Sequence, residues 1–465
     1  METWAAEEFA AAELGDNRLN KRLIKLAERF ADKPTSSIPG ACDGWAETQA
    51  AYRFLSHPRL DWEAVLSGHV QQTEARMRQH PVVLCVQDTT ELDFNGQQMT
   101  GLGPLSYEAQ RGMYLHPTLV VTPQREPLGV TDAWMWAREH KAPDGHRPGV
   151  KESLRWTEGY ERVAEMAAKM PQTRLVYVAD RESDIMALMR RADALGCPAD
   201  WLIRSKHNRT LPEGGKLWNT VLASAVLGEI QFTLPARRGQ PAREVCQQLR
   251  AERVTFANGR NRSFAVTCIV ARETAASAGS AKPVEWRLLT NRTLDSFETV
   301  VSMIDWYRAR WEIETFFDVL KNVCKVEALQ LSAVDRTELA LAVFMVVSWR
   351  LMRLKQFGRI HPDLEVSLLF EPEEWQAAFI LAKKPLPPHP PTAREMIRQI
   401  AMLGGFLGRK CDGEPGVRTL WQGMQRVRDF CSWIGICEKH FLLQVSCVEG
   451  HAHKGTMKNQ PQQDA

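Results

Sequence analysis

Two short apolar runs constrain the fold of this chain more than anything else in it. Val82–Val86 leads through Gln87 into Asp88-Thr89-Thr90, and Leu175–Ala179 leads directly into Asp180-Arg181-Glu182-Ser183-Asp184. Runs this short and continuous predict strands buried on both faces. An Asp closing such a strand sits at the sheet rim, where ligands and metals bind, although Asp at a strand end is also a common turn starter.

The surrounding pattern supplies the rest of an α/β layer. Met113–Thr122 and Leu128–Trp136 follow the first run with short connections that suit an antiparallel meander. Pro117 is awkward inside such a strand, because it removes a ladder donor. A basic, Pro- and Gly-rich stretch, His140–Lys151, leads to a helix expected from Leu154 to Met170, then the Asp180 strand, a helix through Ala194 and a strand at Trp201–Ile203. Three strands, a helix, then alternating strand and helix is the ribonuclease-H-like order. Strands expected at Glu229–Leu234, Glu252–Phe256, Phe264–Arg272 and Glu285–Leu289 form a β-rich insertion at about 217–300.

Downstream, Tyr307 to Lys321 reads as one helix. At 100° per residue Tyr307, Arg310, Glu314 and Lys321 fall within about 60° of one another. Ile313, Phe316, Phe317, Leu320 and Cys324 form the apolar stripe that would seat it. One carboxylate flanked by two cations and a phenol suits a site handling a metal ion and a phosphate, though a solvated helix face could give the same spacing. Asp88 and Asp180 from strand ends with Glu314 from a helix can hold two divalent ions about 4 Å apart. Oxygen-only ligands favour Mg²⁺, with Mn²⁺ as a substitute. Asp184, one helical turn from Asp180, is the alternative second acid.

These segments resemble the DDE transposases of bacterial insertion sequences in the IS-four superfamily, and most closely the Tn-five transposase branch. The resemblance is carried by Leu14-Gly15-Asp16 with Arg18-Leu19, Ala51-Tyr52-Arg53-Phe54, Asp88-Thr89-Thr90, Asp180-Arg181-Glu182-x-Asp184-Ile185 and Arg204-Ser205-Lys206-His207. It continues through Trp286-x-Leu288-Leu289-Thr290, the Tyr-x-x-Arg-x-x-x-Glu-(x)6-Lys signature at Tyr307–Lys321, and Leu403-Gly404-Gly405-Phe406. The segments run in the family's order from about residue 4 to about residue 430. The resemblance implies a cut-and-paste transposase that binds terminal inverted repeats, cleaves them and joins the 3′ ends to target DNA. It makes Asp88, Asp180 and Glu314 the catalytic and metal-binding acids. Tyr307, Arg310, Lys321, Arg204 and Lys206 become phosphate contacts, and Trp286 a platform for a base flipped out of the DNA end. It also implies a homodimer on paired ends and a cytoplasmic, nucleoid-associated bacterial protein.

In domain terms the expectation is a helical DNA-binding domain at 1–65, a catalytic domain at 66–370 carrying the insertion, a helical dimerisation region at 371–440 and a disordered tail at 441–465. Within the first, Arg18, Arg22, Lys25 and Arg29 make a basic ridge beside the stripe Leu19, Leu23, Leu26 and Phe30, suited to phosphate contacts or merely solvated. A net charge of +3 is too mild to announce a DNA-binder, so any basic surface must be local. The start of the chain reads as an acidic helix, not a signal peptide, and Leu339–Trp349 is too short to span a bilayer. Ten scattered cysteines without a Cys-x-x-Cys pair suit a reducing compartment. A C-terminal group, Cys431, Cys437, His440, Cys447, His451 and His453, matches no common zinc spacing. The alternatives are a Mg²⁺-dependent ribonuclease-H-like nuclease and a non-catalytic DNA-binding transposition inhibitor.

Overall fold

The structure is a computed structural model, which describes residues 3–234, 242–259, 262–278, 282–409, 412–431 and 433–434. Two compact units divide it, Met1–Arg353 and Leu354–Ala465.

Five helices open the first unit: α1 (Trp4–Glu8), α2 (Asn17–Asp32), α3 (Ile38–Ala41), α4 (Trp45–Leu55) and α5 (Trp62–Met77). The Asp16 carboxylate caps α2 by accepting from the Arg18 amide, and Leu23, Leu26, Ala27 and Phe30 are buried as the periodicity predicts. A buried ionic network ties α1 to α5. Glu8 accepts two hydrogen bonds from Arg76, at 2.8 and 3.0 Å, and contacts His69 Nδ1 at 2.5 Å.

The strands of this unit are β1 (Val82–Gln87), β2 (Thr90–Asp93), β3 (Gly103–Pro104), β4 (Arg111–Val121) and β5 (Pro127–Trp136), then β6 (Arg174–Ala179) and β7 (Asp200–Arg204). Helix α6 (Leu154–Lys169) precedes β6 and α7 (Met186–Ala194) follows it. Strand β4 pairs antiparallel with β1 and β5, whereas β1, β6 and β7 run parallel. The order β5-β4-β1-β6-β7 is the ribonuclease-H-like one, as the sequence pattern predicts. Strands β1 and β6 are buried along nearly their whole length, which explains their unbroken apolar character.

Strand β2 escaped the sequence pattern. It pairs with β4 at Gly112–Leu115, beyond the stretch Thr118–Val121 that pairs with β1. Pro117 lies between these two partners, so neither needs the N–H it lacks.

The insertion comprises α8 (Leu217–Ala223), β8 (Gly228–Leu234), β9 (Arg243–Ala257), β10 (Ser263–Glu273), α9 (Ala275–Ala278) and β11 (Glu285–Thr290). Its strands extend the core sheet: β11 pairs with β7, and β10, β9 and β8 follow outward. Strand β9 is longer than the expected Glu252–Phe256, because pairing with β10 and β8 recruits its polar half, Arg243–Ala251.

Helices α10 (Phe297–Arg308) and α11 (Trp311–Asp318) correct the single helix expected from Tyr307 to Lys321. Between them Arg310 and Ile313 donate to carbonyls three residues back, tightening the turn. After α11 the residues Val319–Val323 form a π-helical turn, with Cys324 donating to the Val319 carbonyl. Tight and wide turns in succession still leave Ile313, Phe316, Phe317, Leu320 and Cys324 buried as one stripe. The polar residues, however, come from three helical pieces and not from one face.

Helix α12 (Val334–Ile360) contains the apolar stretch Leu339–Trp349, whose hydrophobic residues are buried. Among the described residues no helix is long and apolar enough to cross a membrane. The second unit contains α13 (Pro372–Leu381) and α14 (Ala393–Leu403), with further helical residues at 417–431 that bury Trp421 and Met424. Pro372 is the first residue of α13, where its fixed φ and missing donor cost nothing. The Cys/His group lies outside the described residues apart from Cys431, as does the tail at 441–465.

Candidate active site

Strand register brings the two aspartates together. Strands β1 and β6 end in step, Gln87 opposite Ala179, so Asp88 and Asp180 leave the same rim on neighbouring parallel strands. Such strands lie about 4.8 Å apart. Helix α11 presents Glu314 to the same place through Arg310. The Arg310 guanidinium donates to Asp88 Oδ2 at 2.6 Å and to Glu314 Oε1 at 3.4 Å. The other oxygen of Asp88 accepts from the Thr89 amide at 2.8 Å.

The electrostatics follow from this proximity. Asp88 is pushed up to about 6, chiefly by burial and further by the negative charges of Asp180 and Glu314, against the pull of Arg310. Burial works against the charge of Arg310, but Asp88, Tyr307, Glu314 and Asp180 together raise its pKa. Burial is also the main cause of the raised pKa of the Tyr307 phenol, which feels Arg310, Arg204 and Asp180. Tyr307 and Arg310 are buried, while the Glu314 side chain is 48% exposed. The three acids, Arg310, Tyr307 and Arg204 thus form one cluster.

Other expected residues lie elsewhere or do other work. Lys321 pairs with Glu327 at 3.4 Å, and Glu327 in turn accepts from the Asp93 amide of β2 at 2.9 Å. Lys206 is exposed on the loop after β7; burial and Asp180 raise the pKa of nearby Glu182, and Lys206 only partly offsets them. Trp286 is half-buried on β11 and stacks on Phe232 at 5.6 Å. On α2, Arg18 pairs with Asp16, Lys25 and Arg29 pair with Glu47, and Arg22 is half-buried. Asp184 is not a second acid of the cluster. It is fully buried, accepts the Lys206 and His207 amides at 2.6 and 2.9 Å, and meets Arg209 at 2.6 Å.

Sequence reasoning missed the polar chain beneath Asp88. Gln87, His116 and Thr118 are buried between β1, β4 and α6, and they are linked to Thr89. Burial drives the His116 imidazole down to about 3, so the ring is neutral. The only signal was a lone His in an apolar strand, which periodicity alone cannot distinguish from a packing residue.

The donor set fits a hard divalent cation. It is oxygen-only, its members raise the pKa of Asp88, and the positive charge lodged between Asp88 and Glu314 is Arg310. Among the described residues no three His, Cys, Asp or Glu side chains already converge as a metal group, and Arg310 lies between Asp88 and Glu314.

Comparison with protein families assigns the chain in three consecutive parts. Residues 1–60 match the family described as transposase DNA-binding, 157–349 the transposase DDE domain and 346–436 the transposase Tn5 dimerisation domain. The DDE match covers Asp180 and Glu314 but begins after Asp88, which meets Asp180 through sheet register and Glu314 through Arg310. Among solved structures, the cryo-EM structure of a piggyBac transposase synaptic complex with hairpin DNA aligns with a TM-score of 0.34 and 10% identity, over 67% of this chain and 54% of that one. The chain thus spans about half the length of that structure, and the likeness is too low to bear on the argument. DDE domains generally use divalent metal ions, and the acidic cluster has the chemistry to hold them. With DNA-binding, DDE and dimerisation segments in that order, the chain belongs to the DDE transposases of the Tn5/IS4 type.

Proposed function

We propose that this protein is a cut-and-paste transposase, in which Asp88, Asp180 and Glu314 hold two Mg²⁺ ions, replaceable by Mn²⁺, at the ends of its own element. The observation that carries the reading is the β1–β6 register, with Arg310 bridging Asp88 to Glu314 across the same rim. When bound, the ions activate the attacking oxygen and stabilise the leaving one in an in-line displacement at phosphorus. The protein's own groups do the rest. Arg310, at the same rim, presents a planar fork suited to a phosphate oxygen. Tyr307 and Arg204, close enough to Arg310 to share its field, would orient the scissile phosphate. Lys206 and Lys321 contact the backbone on either side, and Trp286 offers a stacking face to an unpaired base.

A water attack first frees a 3′-hydroxyl at the element end. That hydroxyl then attacks the opposite strand to form a hairpin, water reopens it, and the 3′-hydroxyl joins target DNA. Each step exchanges one phosphodiester bond for another or hydrolyses it, so no outside energy source is needed. The terminal repeats would be read by residues 1–65 through the basic edge of α2, with 66–370 the catalytic part. Residues 371–440 would pair two copies so that two ends are held together. The same reading places the protein in the bacterial cytoplasm, on the nucleoid.

The test uses a labelled duplex carrying the inverted repeat that flanks the gene, with purified protein and Mg²⁺ on a denaturing gel. Wild type is expected to cut at the repeat boundary, and Glu314→Gln to bind the duplex without cutting. Cleavage by Glu314→Gln at the wild-type rate would refute the assignment, and cutting at random positions would favour a plain nuclease.

A further inference from the structure

Asp88 is flanked by two residues whose side chains disappear into the same buried chain of hydrogen bonds. The Gln87 side chain, fully buried, donates through Nε2 to Thr118 Oγ1 at 2.6 Å, and its Oε1 lies 3.3 Å from His116 Nε2. The other ring nitrogen, His116 Nδ1, lies 2.8 Å from Thr89 Oγ1. For a neutral imidazole these contacts have one consistent direction. The Thr89 hydroxyl donates to Nδ1, Nε2–H donates to Gln87, and Gln87 donates to Thr118. Each of the three contacts then pairs one donor with one acceptor. The ring is fixed by its neighbours as well, standing edge-on to Trp156 at 4.5 Å. Gln87 in turn fills a slot cut for it in α6, where a Cβ on Gly159 would come within 2.2 Å of Gln87 Oε1.

The chain ends on the acid itself. Thr89, held by its hydroxyl, donates its amide to Asp88 Oδ1 at 2.8 Å, leaving Oδ2 to Arg310 at 2.6 Å. We infer that His116 is a positioning residue, which sets the orientation of the Asp88 carboxylate by gripping Thr89 and Gln87 on its two sides. The inference rests on the proposed role of Asp88. A buried polar chain that merely stabilised β4 would have no need to end on residues flanking the acid at a strand terminus. An exposed strand end held only by its own backbone would let the carboxylate swing, and an acid that swings binds a cation weakly.

The test pairs two substitutions that break one hydrogen bond from opposite ends, Thr89→Val and His116→Phe, with Thr89→Ser as the variant that keeps the hydroxyl. Three quantities are read: the Mn²⁺ concentration for half-maximal strand cleavage, amide exchange of the peptide covering 87–90 without metal or DNA, and duplex binding in EDTA. Loss of an outer-shell partner typically costs about 10- to 100-fold in metal affinity. Thr89→Val and His116→Phe are therefore expected to raise the Mn²⁺ half-point by that factor and to speed exchange at 87–90, with EDTA binding unchanged. Thr89→Ser should behave as wild type, and the double variant should be no worse than the weaker single. Thr89→Val is nearly isosteric, so it reports even if His116→Phe folds poorly. An unchanged Mn²⁺ half-point and exchange in Thr89→Val would overturn the inference, as would single effects that multiply in the double variant. Asp88→Ala separates the two layers. Normal cleavage by that variant sinks the proposed role of Asp88, whereas an inactive Asp88→Ala beside a normal Thr89→Val sinks the positioning role alone.

Discussion

Asp184→Ala distinguishes an anchor from an acid of the reaction centre. The Asp184 carboxylate is fully buried, with Oδ2 accepting two backbone amides of the loop after β7, Lys206 at 2.6 Å and His207 at 2.9 Å. Its Oδ1 faces Arg209 Nη1 at 2.6 Å, a close charge contact without hydrogen-bond alignment, and the Arg209 side chain is only 13% exposed. Removing one partner of a buried pair leaves the other charge uncompensated, which costs about 3–5 kcal/mol. Hydrogen bonds to a charged acceptor are worth roughly 1.5–3 kcal/mol each, so the two amides alone account for a similar sum. The two figures describe overlapping losses and are not added. A penalty near 4 kcal/mol is about three decades in an opening equilibrium. The loop carrying Lys206 would then open far more often without the whole unit unfolding. Amide exchange of 204–210, followed by mass spectrometry, should accelerate by two to three orders of magnitude, on the order of that estimate. Binding of the repeat duplex in EDTA should weaken with it, because Arg204 and Lys206 lose their fixed backbone. A metal-binding acid behaves differently, since its loss leaves both readouts untouched and abolishes cleavage alone. Wild-type exchange and EDTA binding in a cleavage-dead Asp184→Ala would refute the anchor argument.

Acid should loosen the join between α1 and α5. Burial raises the Glu8 pKa, but contacts with His69 and Arg76 outweigh it and hold the carboxyl at about 2 against an ordinary 4.5. A lowered folded pKa stabilises above the unfolded value and is lost as pH falls from about 4.5 towards 2. The Val130 amide donates to His69 Nε2 at 2.9 Å, so the ring is neutral and Arg76 is the cation holding the charge. With the ring neutral its charge no longer helps to lower Glu8, so the effect is smaller than the roughly 3 kcal/mol that a shift to about 2 would give. Wild type should lose more of its unfolding midpoint between pH 5 and pH 3 than Glu8→Gln does; parallel curves would show that Glu8 is not linked to folding. Gly159→Ala should destabilise by about 1–3 kcal/mol through overpacking against Gln87, and a midpoint equal to wild type would mean that Gln87 can leave its slot freely.

The sequence by itself determined what depends on local periodicity. The paired apolar runs gave β1 and β6, because a strand buried on both faces tolerates no polar residue and so announces itself. The order of strands and helices, the insertion strands and the buried stripe at Ile313, Phe316, Phe317, Leu320 and Cys324 were legible for the same reason. So were Asp88, Asp180 and Glu314 as acids at the ends of such elements, although spacing could not say that they meet. That was decided by register, since Gln87 faces Ala179 only once β1 and β6 pair, across nearly a hundred residues of chain. Tertiary structure also decided where local rules yield. Strand β2 and the polar half of β9 exist because neighbouring strands supply their hydrogen bonds. The helix at Tyr307–Lys321 breaks into tight and wide turns that the 100° rule does not contain. Asp184 lies four residues from Asp180, close enough to pass for its equal, yet its burial against Arg209 makes it an anchor. His116 could be recognised as more than packing only when Thr89 and Gln87 closed around it. Periodicity records which face of an element is buried, whereas hydrogen-bond partners and charge neighbours are properties of pairs of elements, which only the folded chain brings together.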